Sequence, residues 1–139
     1  MSGTTAEALA ANQAFYDAFA AGDVQAMRQL WAEAAPVACA HPAAPLLVGR
    51  ETVLESWAAI LNATARPEIE ARGAQAHLLN GAAFVTCYER LGGSGGAVLL
   101  ATNIFAWEDG RWRMVHHHAS QTPMAPPREA PHAPSGVLH

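Results

Sequence analysis

Along residues 5–21 the larger apolar side chains Leu9, Phe15, Tyr16 and Phe19 recur at helical spacing in an alanine-rich background, and Gly22 follows where a helix-terminating glycine belongs. This pattern predicts a first amphipathic helix. Asp23 can cap a second one, carrying Val24, Met27, Leu30 and Trp31 on one side and ended by Pro36. A short strand is expected over 36–40. The two prolines of His41-Pro42-Ala43-Ala44-Pro45 remove amide donors and restrict the residues before them, so this stretch reads as an irregular loop. Beyond Gly49, the residues Val53, Leu54, Trp57, Ile60 and Leu61 fall on one face of a third helix.

From Arg66 onward the apolar period changes from near 3.6 to near 2. Residues 68–78 read as a long strand with a bulge or bend at Gly73. Asn80-Gly81 is a two-residue hairpin signal leading into a strand over 83–91. The run Gly92-Gly93-Ser94-Gly95-Gly96 joins it to a strand over 97–107, and Asp109-Gly110, which accepts positive φ at both central turn positions, feeds the last strand. Three helices followed by four consecutive antiparallel strands predict an α+β domain over 1–122, with the helices on one face of a curved antiparallel sheet. A twisted, bent sheet curls, and helices cannot fill its concave side completely, so a cavity is expected there. Residues 123–139, with Pro123, Pro126, Pro127, Pro131 and Pro134 and little periodicity, read as a proline-rich, mobile tail.

Composition narrows the function classes. The 139 residues are 51% hydrophobic and only 14% charged, with a net charge of −4, which disfavours both intrinsic disorder and electrostatic capture of nucleic acid. No apolar run approaches the ~18 residues that span a bilayer, and Met1 to Ala11 lacks the pattern of a secretory signal. A cytoplasmic protein that is not embedded in a membrane is expected. Cys39 and Cys87 lie in apolar segments with no Cys-x-x-Cys spacing, which fits reduced, packing thiols. So few charges leave apolar surface to hide, and a homodimer is the expected way of hiding it.

Three patterns carry a family resemblance: Phe-Tyr-Asp-Ala-Phe-Ala-Ala-Gly-Asp at 15–23, the helix opening Gly49-Arg50-Glu51, and the run from Asp109 to Ser120. Over residues 6–122 the chain resembles the nuclear transport factor two-like superfamily, the cone-shaped α+β fold of SnoaL-like polyketide cyclases, ketosteroid isomerase and scytalone dehydratase. That fold hosts both catalysis and scaffolding. The resemblance implies an apolar pocket for a small organic ligand, with cofactor-free isomerisation, cyclisation or dehydration as its chemistry. The alternative is a non-catalytic ligand-sensing or oligomeric assembly module.

Alternation in the last strand predicts Arg113, Val115, His117 and Ala119 on one face, with Trp112, Met114, His116, His118 and Ser120 on the other. The last strand also resembles that of the association domain of calcium/calmodulin-dependent kinase, where three arginines line the pocket. The resemblance places one of them at Arg90 and the other two at Asn103 and Ala119. The expected pocket face is Val115, His117 and Ala119 with Ala101, Asn103, Phe105, Tyr88 and Arg90, floored by Trp57. Comparison with ketosteroid isomerase puts its tyrosine nearest Phe15, its general base at His41 and its hydrogen-bond donor at Asn103. A neutral His41 could abstract a proton while Asn103 donates to developing oxyanion charge. The expected site is therefore His41, Asn103 and His117 for chemistry, and Trp57, Tyr88, Arg90 and Phe105 for binding, with no acidic residue on any expected pocket wall. The run His116-His117-His118 offers two same-side imidazoles but no third ligand, so neither a metal nor a cofactor is expected. Beside Trp112 and Met114, His116 and His118 read instead as dimer contacts on the convex sheet, whose protonation near pKa ~6.5 would weaken association.

Overall fold

The computed structural model describes residues 2–92 and 96–123, so most of the expected tail lies outside the described residues. Helix α1 (Thr5–Ala21) opens with a capping box in which Thr4 and Glu7 exchange hydrogen bonds, and it closes at Gly22 with φ +64°. Asp23 accepts from the Ala26 amide and starts α2 (Val24–Leu30). The short strands β1 (Ala38–Ala40) and β2 (Leu46–Val48) precede α3 (Arg50–Asn62), after which β3 (Ile69–Leu79), β4 (Ala82–Leu91), β5 (Val98–Glu108) and β6 (Arg111–Gln121) form the meander.

These six strands make one curved, unclosed sheet in the order β2-β1-β6-β5-β4-β3. The predicted α+β class and the four-strand meander are both present. Two local readings differ. The proline-rich loop is the connection of a hairpin, because Leu46–Val48 returns antiparallel to β1; and β1 lies parallel to β6, so the sheet is mixed. The second helix stops at Leu30, six residues before Pro36, because Trp31 turns to extended backbone and bridges to Met114 of β6. Arg50 holds that turn by donating to the carbonyls of Trp31 and Ala32 at 2.9 and 2.8 Å. Glu108 clamps the next turn, accepting from the amides of Glu33 and Ala34.

Two irregularities aim the side chains of the sheet. Gly73, at φ +64°, accompanies a register shift between Arg72 and Gln75, the bend expected from its position in β3. A second shift in β6 leaves Val115 unopposed, since Ile104 pairs with His116 and Phe105 with Met114. The extra residue overturns the strict alternation expected of this strand. Trp112 and Met114 on one side of the bulge and His117 and Ala119 on the other are all buried, at 5% exposure or less. The core between helices and sheet is built on Phe15, Phe19, Met27, Trp31, Trp57, Phe105 and Met114, each worth roughly 1.5–3 kcal/mol on burial.

Candidate functional site

The helix α1 stripe that faces the sheet contains a polar residue, Asn12, one turn before Tyr16, with Phe15 and Phe19 beside them. Opposite stand alternate residues of the sheet: Cys87 and Glu89 on β4, Asn103 on β5 and His117 on β6. All of these are buried, Asn12, Asn103, Glu89 and His117 to 3% exposure or less. Buried polar groups must be paired, and here they pair with one another. The Asn103 amide donates to Asn12 Oδ1 at 2.7 Å and to the Tyr16 hydroxyl at 3.2 Å. Tyr16 in turn donates to Glu89 Oε2 at 2.6 Å and lies 3.3 Å from Cys87 Sγ. Both amide hydrogens of Asn103 being used, its oxygen faces His117 Nδ1 at 2.5 Å and accepts from it. That bond fixes the tautomer: the proton sits on Nδ1 and the Nε2 lone pair is left toward Glu89, 3.9 Å away.

The network borders a cavity of about 170 Å³ between α1, α3 and the sheet. Phe15, Phe19, Trp57, Ile60 and Leu99 give it apolar walls, while Tyr16, His41, Glu89 and His117 give it polar ones. The exposed Pro42 and Pro67 line it too, on the solvent side. The His41 ring meets Trp57 edge-on at 4.7 Å, and its Nε2 lies 2.5 Å from Ser56 Oγ. Phe15 and Trp57 flank the His117 ring at centroid distances of 4.9 and 5.7 Å.

Burial dominates the electrostatics of these groups. It drives the His117 pKa down to about 3, helped by neighbouring His41, His116 and His118, so this imidazole is neutral. At 3.9 Å Glu89 is too far to form the directed bond that would offset charging it. Burial likewise lowers the pKa of His41 and raises that of Glu89, the latter opposed only by the hydrogen bond from Tyr16. Tyr16 is itself raised well above its ordinary value by burial and by Glu89. Burial pushes the Cys39 thiol up to about 12, and both cysteines are free, as reduced packing residues would be.

The structure brings together His41, Trp57 and His117 at the cavity, with Asn103 behind His117. Phe105 is buried in the core and is not part of the cavity wall. Tyr88 and Arg90 are corrected: they project from the other face of β4, Arg90 exposed, and Glu89 between them points inward. Arg90 borders a different feature, an open surface groove of about 740 Å³ along residues 64–70. That groove is larger, but its Arg66 is committed to the carbonyls of Phe19, Ala20 and Leu61. The smaller cavity, not the groove, holds the converging buried polar groups, and it is the better site. The expected absence of an acidic residue on the pocket wall is overturned by Glu89. The resemblance to the kinase association domain placed Arg90, and with it Tyr88, on the pocket face, whereas the set Ala83, Val85, Cys87 and Glu89 is the one that packs beneath the helices. Tyr16, one residue beyond Phe15, supplies the hydroxyl, and Asn12 on the apolar stripe is the signal that a polar partner waited across the core. Among the described residues no cluster of His, Cys, Asp or Glu could hold a metal ion.

Residues 8–125 match the SnoaL-like domain model, and the chain belongs to that family. Among proteins of known sequence it is 32% identical over 117 residues to the F-box protein SKIP8 of Arabidopsis thaliana, covering 84% of this chain. The chain spans about half of that relative, 50% of its length. Among solved structures it is similar to a provisionally assigned dehydratase of the NTF2-like family from Streptomyces avermitilis, with 30% identity and a TM-score of 0.76 over 85% of this chain and 95% of that one. A provisionally assigned calcium/calmodulin-dependent protein kinase type II association domain from Thiobacillus denitrificans is 32% identical, with a TM-score of 0.72 over 82% and 94% of the two chains. The CaMKII hub of S. rosetta, at 18% identity and a TM-score of 0.69 over 88% and 99%, shares the fold. No helix among the described residues is long and apolar enough to cross a membrane.

Proposed function

We propose that this SnoaL-like domain binds a small organic molecule in the α1–α3–sheet cavity and that Glu89 moves a proton on it without a cofactor. The observation that carries the reading is a carboxyl buried to 2% exposure on the wall of an otherwise largely apolar cavity, with a hydroxyl donor on one side and an imidazole lone pair on the other. Burial raises the pKa of that carboxyl, which makes it a stronger base than an ordinary carboxylate and a group able both to take and to return a proton. His117 Nε2 accepts a hydrogen bond from the ligand, and His41, steadied by Ser56, stands on the same wall as a second proton-handling group. Isomerisation, cyclisation and dehydration all need such a proton transfer, and the similarity to the Streptomyces dehydratase supports this class. A cavity of ~150 Å³ holds a benzene-sized group, so the part of the ligand seated between α1, α3 and the sheet is about the size of one small ring.

The test is a thermal-shift screen of small aromatic and cyclic carbonyl compounds on the wild type and on Glu89→Gln, followed by proton NMR in D₂O. Binding by the wild type with deuterium uptake next to the carbonyl, lost in Glu89→Gln, is the expected result. Binding without uptake would reduce the domain to a ligand-sensing module.

A second reading, assembly, is favoured by the 32% identity to the Thiobacillus association domain. In it a second copy covers the convex face, where Leu79 and Leu100 are 58% and 44% exposed and His116 and His118 project. Trp112 and Met114 are not part of that surface, since the β6 bulge turns them inward. A homodimer through this face, in the cytoplasm, is compatible with a working cavity, whereas a larger ring in light scattering would make assembly the primary role.

A further inference from the structure

The Glu89 carboxylate has an unusual lack of company. It accepts the Tyr16 proton at 2.6 Å, yet among the described residues no arginine lines the cavity and the chain contains no lysine at all. The described arginines nearest in kind to a counter-charge are engaged elsewhere: Arg50 and Arg66 hold helix-end carbonyls, and Arg111 and Arg113 donate to the Gln29 carbonyl. The neighbouring His117 faces the carboxylate with a lone pair, its proton being spent on Asn103. Two acceptors therefore stand 3.9 Å apart at the edge of one cavity with no donor between them. A buried carboxylate with one neutral donor and no counter-charge is costly to ionise, and a cationic group arriving from outside would supply what the described residues do not.

The geometry selects that group. A nitrogen ~2.8 Å from both Glu89 Oε2 and His117 Nε2 would see them about 90° apart, within reach of two N–H directions of a tetrahedral ammonium. The apolar walls include Phe15, Phe19 and Trp57, aromatic side chains of the kind that attract cations. We infer that the ligand of this cavity carries a protonated amine, held between Glu89 and His117 and enclosed by Phe15, Phe19 and Trp57. The inference rests on the small-molecule reading of the cavity and adds the charge of what enters it; with such a ligand Glu89 acts first as its counter-ion. An aryl-methyl or short alkyl ammonium fits the size.

The experiment uses the full chain and four probes of similar size, benzylamine, benzyl alcohol, toluene and benzoate, each of about eight non-hydrogen atoms. Binding is measured at pH 7 by saturation-transfer NMR and calorimetry. The expected result is that benzylammonium binds at least about tenfold more tightly than the other three. Glu89→Gln should bring the amine down to the level of the alcohol and leave toluene unchanged. Toluene, benzyl alcohol or benzoate binding as well as the amine to the wild type would overturn the cation inference and leave the small-molecule cavity standing. Silence from all four probes would overturn both. The wild-type series decides the matter by itself, so the outcome does not depend on the variant folding.

Discussion

His116, His117 and His118 are consecutive on one strand, and the sheet gives them opposite lives. His117 points into the helix-covered side, 3% exposed, held in one tautomer by Asn103 and kept neutral by burial. His118 projects from the convex side into solvent, and His116 on that same side bonds the Ala38 carbonyl at 3.0 Å. The same contrast recurs on β4, where Glu89 is buried between the outward-facing Tyr88 and Arg90. Residue type therefore decides little by itself here. The chemistry of each group is set by which side of one curved sheet it faces, and a single extra residue at Val115 changes which group is chosen.

The contrast is broken most sharply at Asn103, because one amide satisfies three partners at once. Asn103→Ala leaves Asn12, Tyr16 and His117 each short of a buried hydrogen bond, and we expect a loss of about 3–5 kcal/mol in urea unfolding. Thr102→Ala, one residue away and facing outward, should stay within about 0.5 kcal/mol. Equal losses at the two positions would mean that the network is not a stability element.

Acid separates the histidines next. With a folded-state pKa of about 3 against an ordinary 6.5, the folded protein binds fewer protons than the unfolded chain between those values. The stability linked to His117 is complete above about pH 6.5 and lost as the pH falls toward 3, up to about 5 kcal/mol in all. His41, half-buried with a lowered pKa, adds a smaller slope of the same sign. Unfolding free energies from pH 7 to 4 should show this decline in the wild type and in His118→Gln, and a flatter curve in His117→Gln. An unchanged slope in His117→Gln would show that the imidazole is charged in the folded state.

Glu89 tilts the curve the other way over part of the range. Its raised pKa means that the folded protein holds a proton longer than the unfolded chain, so stability falls as pH rises from about 4.5 to the folded value and is level beyond it. Glu89→Gln should therefore gain on the wild type as pH increases through that window. Tyr16→Phe removes the donor that lowers the Glu89 pKa and an acceptor of Asn103, for a cost of about 1–2 kcal/mol that grows with pH. A cost that is flat with pH would show that Tyr16 does not support the charged carboxylate.

Much of the fold was legible in the amino-acid pattern because it depends on local chemistry: Thr4 and Glu7 cap, Gly22 stops, Asp109-Gly110 turns with both φ values positive, and Gly73 bends β3. The strand β2 was not, since Leu46-Leu47-Val48 is three residues long and gains its identity from pairing with β1. At the site, Trp57 and His117 stood out on the expected inward faces of a helix and a strand, while His41 entered through the resemblance to ketosteroid isomerase. Glu89 was not legible, because period-2 alternation gives two faces without saying which is buried, and the match of Arg90 to an arginine of the kinase association domain pointed to the opposite face. Nor can alternation anticipate a bulge, so Trp112 and Met114 were assigned to the convex surface when the extra residue at Val115 returns them to the core.

The smallest expected effect tests that register directly. Arg90 is exposed and opposes Glu70 across the β3–β4 pair, and exposed charge pairs contribute about 0–1 kcal/mol. Arg90→Ala should thus change stability by no more than about 0.5 kcal/mol and leave binding of every cavity probe untouched. Glu89→Ala, one residue away, should empty the polar wall of the cavity and strand the Tyr16 hydroxyl. If instead Arg90→Ala abolished binding of benzoate while Glu89→Ala did not, β4 would be turned over relative to its neighbours. The pocket would then be lined by the arginine that the kinase association domain resemblance placed there, and a carboxylate rather than an amine would be its ligand.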